Sequence, residues 1–481
     1  MNGAAVPAGS TPREPYPGGY REVLRIALPL IISTGSFTLM QFVDRMFLAW
    51  HSALAIQAAL PAGILSFTLI SGFMATAGYA NTFVAQYHGA GDRRGCSRST
   101  AQGVWLSLAC WPILLLLIPV GRLLLRASGH PAEVLALELD YFTILLAGGV
   151  TVPLGAAVSS FFTGRGDTFT NMVATVAGNL VNVLLDYLLI FGHGGFPELG
   201  IRGAAYATVI AGLVPPLWLG VIYFGRRLRA EYGTYETWRP DRALLGRLIR
   251  FGLPSGIHLC LDVASFTVFV LMIGRLGGAA LAVSNLALSI NMLAFMPLIG
   301  ISIAASTLVG QYQGRGDSAT AERAGWNSLR VGLLYMTVVG LSYLLLPEFY
   351  FGLFARRAES GLDRAVLLAD GRWLLVMMAA WGLFDAVTLV LSGALKGAGD
   401  TRFVMIYSSA MAWGLLVPVQ VLLTLRFQAG VLLSWGWLTL YVMVLSVGFW
   451  FRFRGAKWKS IRVVEPVAPP PITHESVVLP E

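Results

Sequence analysis

Charge is scarce in this chain of 481 residues, of which only 12% are Asp, Glu, Lys or Arg. An ordinary soluble domain carries about a quarter, so a soluble globular protein is excluded. Cysteine is scarcer still. Cys96, Cys110 and Cys260 are too few and too scattered for a disulfide framework or a metal cluster, and they read as small packing residues. No His-Glu-x-x-His, no Walker loop and no Cys-x-x-Cys is present, so the chain is not expected to be an enzyme. Without a Walker loop, uphill work must draw on an ion gradient or on a partner ATPase. Residues 1–20 are rich in Pro and Gly and hold no apolar stretch, so no cleavable signal peptide is expected and the first apolar segment is retained.

Apolar residues dominate instead, at 56% of the chain. They fall in runs of roughly 20 residues, the length a bilayer requires. Short alternating segments, as an outer-membrane barrel would need, do not occur. An all-α membrane protein follows, with twelve transmembrane helices. The spans are predicted at 24–46, 56–80, 101–125, 136–161, 170–191 and 203–224, then 251–273, 279–308, 327–351, 371–394, 403–424 and 430–451. The chain divides into an N-terminal segment (1–22), a first six-helix lobe (23–224), an Arg-rich linker (225–250), a second lobe (251–451) and a tail (452–481). The Pro-rich run Pro466–Pro471 predicts that this tail is disordered and outside the membrane.

A net charge of +9 raises the question of nucleic acid, but Arg and Lys sit mostly in loops beside membrane segments, and no nucleic-acid partner is expected. Their excess on the side of the two termini predicts that both termini are cytoplasmic. The setting expected is a cell membrane, the inner membrane of a bacterium, with the lipid bilayer as partner.

A short stretch organises the whole. Gln86-Tyr87-His88-Gly89-Ala90-Gly91-Asp92 returns 225 residues later as Gln311-Tyr312-Gln313-Gly314-Arg315-Gly316-Asp317. Its core, Gly-x-Gly-Asp, occurs twice more, at Gly164–Asp167 and Gly397–Asp400. Four copies in two similarly spaced pairs indicate a duplicated chain, and each copy predicts a tight turn between spans. Six spans per half make the repeat parallel, with two lobes related by an axis along the membrane normal. Pro29 and Pro254 stand at equivalent positions inside the first span of each half. Each frees a backbone carbonyl and predicts either a hinge or a static kink.

Ionisable groups inside spans face a cavity or a partner. Four carboxylates meet that description: Asp44, Asp186, Asp262 and Asp385. Asp44 admits a salt bridge with a neighbouring base. Asn182 and Asp186 share one helix face, with Asn179 a turn earlier, and suit a proton, a hard cation such as sodium, or a polar contact between helices. His258 lies one turn before Asp262, as a possible proton partner or half of a buried ion pair. The carboxylates do not follow the repeat. Asp44 shifted by 225 lands on Phe269, and Asp262 shifted back lands on Phe37. Aromatic and Met side chains lining a cavity would accommodate bulky organic cations.

Over about residues 20–455 the chain resembles the multidrug and toxic compound extrusion (MATE) family. The likeness rests on Leu28-Pro29 leading to Val43-Asp44, on Val84-Ala85-Gln86 with Gly89-Ala90, and on Asn182-x-x-x-Asp186. It continues with Gly203-Ala204-Ala205 and Ala207-Thr208, Gly252-Leu253-Pro254 leading to Asp262, and Asp385 followed by Gly393–Thr401. The resemblance implies a two-lobed antiporter that exports cationic or amphipathic organic compounds in exchange for sodium ions or protons. A flippase for lipids or lipid-linked sugars is the alternative from the same superfamily, and would call for a basic cavity. By position, Asp44, Asn182, Asp186 and Thr208 match the family's ion site, with Tyr141 a weaker match beside it. Asp262 and Asp385 match an acidic pair in the second lobe. The family usually has Glu at Asp262 and often Arg at Lys396. No cofactor is expected, and a sodium ion at Asp44, Asn182 and Asp186 is the one metal the resemblance admits.

Overall fold

The computed structural model describes residues 16–350, 364–455 and 457–465. Among these residues, twelve helices are long and apolar enough to cross a membrane. They are α1 (Tyr20–His51), α2 (Ala53–Gly89), α3 (Arg93–Arg126), α4 (Ala132–Gly164), α5 (Thr168–Phe191) and α6 (Ile201–Tyr223). The second half contributes α7 (Arg242–Arg275), α8 (Gly278–Gly314), α9 (Ser318–Leu345), α10 (Arg364–Ala398), α11 (Thr401–Leu425) and α12 (Val431–Arg454). Helix is the expected solution, since lipid offers backbone N–H and C=O groups no partner.

The four Gly-x-Gly-Asp stretches form one recurrent turn. The second glycine is left-handed in each, with φ of +79° at Gly91, +84° at Gly166, +79° at Gly316 and +98° at Gly399. The following Asp amide bonds back five residues, Asp92 to Tyr87 O at 2.9 Å and Asp317 to Tyr312 O at 3.0 Å. That is a Schellman ending, which a Cβ would strain. The Asp carboxylate then starts the next helix. Asp92 accepts from Gly95 N at 2.8 Å, Asp167 from Thr170 N at 3.3 Å and Asp317 from Thr320 N at 2.9 Å. Asp400 departs from this pattern, because its carboxylate accepts from Arg452 Nε at 2.7 Å instead. One tetrapeptide thus ends a helix, reverses the chain and begins another.

The lobes interlock through their first helices. The start of α1 (Val23, Ile26, Ala27, Leu30) belongs to the core of the second lobe. The start of α7 (Leu244, Leu248) belongs to the core under α2 and α4 of the first. Apolar side chains gain little by leaving lipid for one another, so close approach of small residues must hold such an interface. Gly300 in α8 faces the backbone of Leu30 and Ile31, and a Cβ there would lie 2.9 Å from Ile31 N. Gly256 in α7 faces Gly72 and Thr76 in α2, and a Cβ there would lie 2.4 Å from Gly72 O. Gly256 is Ile31 shifted by 225, so the two crossings are copies, and each lies beside Pro29 or Pro254.

At the end that holds the termini, α2 and α8 close the gap between the lobes. A Cβ on Gly89 would sit 1.9 Å from Gln311 O, and one on Gly314 would sit 2.0 Å from Gln86 O. Gln86 Nε2 donates to Gly397 O at 3.0 Å, and Gln311 Nε2 donates to Gly164 O at 2.8 Å. Tyr79 and Asn81 add bonds to Lys396 O (2.8 Å) and Thr307 Oγ1 (3.2 Å). At the opposite end a separate cluster, including Leu48, Ala58, Tyr141 and Ile201, draws on the first lobe alone.

Two expectations change. The stretch 225–250 is not a simple polar linker. It contains a short helix, Arg226–Tyr232, and α7 already begins at Arg242. It is tied to α3 by Trp105 Nε1 to Trp238 O (2.9 Å) and by Asp241 N to Gln102 Oε1 (2.9 Å). Nor is the chain disordered from Arg452. The α12 helix runs to Arg454, and Trp458 stacks on Phe453 at 5.0 Å and is wholly buried, as is Val463. A large aromatic four residues beyond a helix has apolar surface to bury, a signal that the downstream proline run obscured. That run, Pro466–Pro471, lies outside the described residues.

Candidate functional site

The first lobe gathers its polar residues where α1, α4 and α5 meet. Helical spacing puts Asn182 and Asp186 on one face of α5, and both are buried, at 1% and 0% exposure. Asp44 of α1 lies near enough for the two carboxylates to feel each other's charge, and the buried phenol of Tyr141 in α4 lies near both. Asp44 Oδ1, both oxygens of Asp186 and both amide atoms of Asn182 have no hydrogen-bond partner among the described residues. Buried polar atoms are almost always satisfied, so this convergence of unpartnered atoms marks a candidate binding site. The donor set is two carboxylates and an amide, with no third His, Cys, Asp or Glu to complete a metal cluster among the described residues. Hard oxygen donors with at most two negative charges fit a proton or a single alkali cation better than a divalent metal.

Other expected members fare differently. Asn179 donates to Ser36 Oγ at 2.7 Å, a tie between α5 and α1 rather than a free ligand. The Thr208 hydroxyl donates back to Ala204 O at 2.9 Å and makes no hydrogen bond to the carboxylates. The salt bridge to a neighbouring base that the sequence allowed for Asp44 does not form among the described residues, and Arg45 beside it is exposed.

The second lobe has its own acidic pair. Asp262 of α7 is open to its surroundings, Asp385 of α10 is half-buried, and the two sense each other's charge. The buried Tyr441 of α12 completes the group. The His258–Asp262 ion pair is not formed. His258 Nδ1 instead faces Lys396 Nζ at 3.4 Å, because α10 brings the ammonium to the turn of α7 below Asp262. The carbonyl of that same Lys396 accepts from Tyr79 and Thr82 of the first lobe, at 2.8 and 3.4 Å. Near Asp262, α11 contains a π-helical turn, Ala412–Leu416, whose Trp413 donates to Leu261 O at 3.3 Å. Such turns are rare and recur at functional sites. Neither Tyr441 nor Trp413 stands out in a sequence with 13 Trp and 16 Tyr. Pro29 and Pro254 both lie inside helices, and one turn after Pro29 the Ser33 hydroxyl donates to Pro29 O at 2.9 Å.

Two interlocked six-helix lobes, each with acidic groups inside its spans, are the architecture of a membrane transporter. The MatE family model matches residues 29–188 and 254–422, one match per half and each beginning at the span proline. The chain belongs to the MatE (multidrug and toxic compound extrusion) family. It is 27% identical to a probable multidrug resistance protein NorM of Thermotoga maritima, over 94% of this chain and 96% of that one. It is 30% identical to the probable multidrug resistance protein NorM of Pseudomonas putida, over 92% and 95%. Its fold matches a solved MOP superfamily transporter from Pyrococcus furiosus with a TM-score of 0.82 at 22% identity, covering 92% of this chain and 97% of that one.

Proposed function

We propose that this protein is a secondary active antiporter that exports cationic or amphipathic organic compounds, including drugs, in exchange for protons or sodium ions. The observation that carries the proposal is the cluster of the half-buried Asp44 and the buried Asn182 and Asp186, with unpartnered polar atoms on all three. A pair of carboxylates this deep is costly when empty and doubly charged. Binding a proton or an alkali cation relieves that cost, so occupancy of the site is worth several kcal/mol to whichever lobe arrangement accepts it. Asp44 sits on α1, whose start is built into the other lobe, so the ion's energy reaches the lobe interface through one helix. Pro29 serves as the point of bending, and Pro254 as its counterpart in α7.

Asp262 and Asp385 favour cationic cargo, and the names of the NorM relatives agree with drug export. Their acidic character speaks against a flippase for anionic lipid-linked sugars. With both termini cytoplasmic, the sealed end formed by Gln86, Gly89, Gln311 and Gly314 is the inner gate, and this arrangement faces outward. The test is efflux of a cationic dye from proteoliposomes under a sodium gradient and, separately, under a proton gradient. One gradient is expected to drive efflux at least tenfold above the ungraded rate. Equal rates under both gradients and under none would refute antiport.

A further inference from the structure

A pocket of about 550 Å³ opens at the terminus-side edge of the first lobe, away from both carboxylate groups. It is lined by Phe162 and Arg165 from the end of α4, Thr170 from the first turn of α5, Ile222 from the end of α6, and Arg226 and Arg227 from the short linker helix. Its wall also contains two carboxylates, both engaged. Asp167 caps Thr170 N at 3.3 Å, and Glu231 pairs with Arg93 at 3.2 Å. The side chains of Arg226 and Arg227 are exposed and have no hydrogen bond or ion pair with any described residue.

Arg165 is held differently. Its guanidinium lies 4.3 Å from the Phe161 ring centre and 4.8 Å from that of Tyr232, and its side chain is 11% exposed. Its buried Nε has no hydrogen-bond partner, and Asp167 approaches the other end only to 3.5 Å. A planar fork fixed on aromatic faces keeps its donors pointed at one place, which is how arginine recognises phosphate oxygens. Outside the pocket the surface turns apolar at once, with Phe169, Trp218 and Val221 exposed along α5 and α6. An anionic head among arginines with an apolar wall leading into the membrane is the outline of a phospholipid.

We propose that this pocket binds the phosphodiester headgroup of an anionic phospholipid from the terminus-side leaflet. Free phosphate offers the same oxygens without the acyl chains, so the experiment separates the two. The purified full chain is reconstituted with phosphatidylcholine and phosphatidylglycerol, and retained lipids are counted by native mass spectrometry. The wild type is expected to retain phosphatidylglycerol in preference, and Arg226→Gln/Arg227→Gln to weaken that retention about tenfold or more. Arg229→Gln/Arg242→Gln removes the same charge from the same linker outside the pocket and is expected to leave retention unchanged. Excess inorganic phosphate is expected not to displace the lipid. Equal losses in the two double variants would show general surface attraction and overturn the proposal. So would equal retention of phosphatidylcholine, or displacement by inorganic phosphate, which would assign the pocket to the free ion.

Discussion

Single residues carry the chemistry, and the interior of each lobe places them differently. In the first lobe two carboxylates and an amide stand without partners, while in the second an ammonium shares the space with the acids. Lys396 Nζ faces His258 one turn from Asp262 and lies near enough for Asp262 to feel its charge. Lys396→Met is expected to lower the apparent KM for a monocationic dye by about fivefold, on the order of 1 kcal/mol, by removing a competing charge. Transport assays with a neutral substrate as control check this, and an unchanged KM for the cation contradicts it. The acids themselves were legible, because any charge inside an apolar span is conspicuous. Their partners were not. His258 one turn before Asp262 looks like an ion pair along a single helix, yet the third dimension delivers Lys396 from α10. Likewise Tyr441 is one aromatic among many until α12 is packed beside Asp385.

Among elements, the repeated turns were the most legible feature, since glycine and Asp at fixed spacing encode a left-handed ending followed by a cap. Their second role was hidden. The first glycine of Gly89-Ala90-Gly91 and of Gly314-Arg315-Gly316 is needed not by the turn but by the crossing helix, whose carbonyl lies about where a Cβ would go. Gly314→Ala is expected to loosen the closure between α2 and α8 and to destabilise the protein by roughly 1–3 kcal/mol, as overpacking does. Thermal unfolding in detergent checks this, and an unchanged midpoint contradicts it. Gly91→Ala, in the turn proper, meets no neighbour within 4 Å and acts only through its φ of +79°. The linker adds a pH signature. The Arg98 hydrogen bond holds Asp241 below the usual carboxylate range. A carboxyl depressed in the folded state stabilises above its unfolded pKa, and that contribution is lost as pH falls through the folded one. Proteolysis of the linker is thus expected to accelerate below about pH 4, and Asp241→Asn to remove most of that dependence.

For the whole molecule, duplication explains the scaffold and not the site. One pair of turns, the prolines and the crossings beside them repeat at 225 residues and the second pair of turns at 233, whereas Asp44 corresponds to the buried Phe269 and Asp262 to Phe37. The number of helices and their two-lobe grouping could be read from hydropathy and the repeat. The exchange of α1 and α7 between lobes could not, because an apolar helix face carries no label for its partner. On the proposed antiport, that exchange would make alternating access a motion of both lobes about two equivalent crossings. In a background lacking the native cysteines, Asn81→Cys/Thr307→Cys is expected to form a disulfide across the closed end where Asn81 Nδ2 meets Thr307 Oγ1. Oxidation should cut efflux at least tenfold and reductant should restore it, whereas undiminished efflux by the cross-linked protein would contradict a gate at this end.

The central claim is that the buried cluster in the first lobe couples an ion to export. Its most direct measurement is gradient-driven dye efflux by Asp186→Asn in proteoliposomes, with the amount of inserted protein matched to the wild type. The account predicts that the gradient no longer accelerates efflux while dye binding to the detergent-purified variant persists. Wild-type efflux under the same gradient would contradict it.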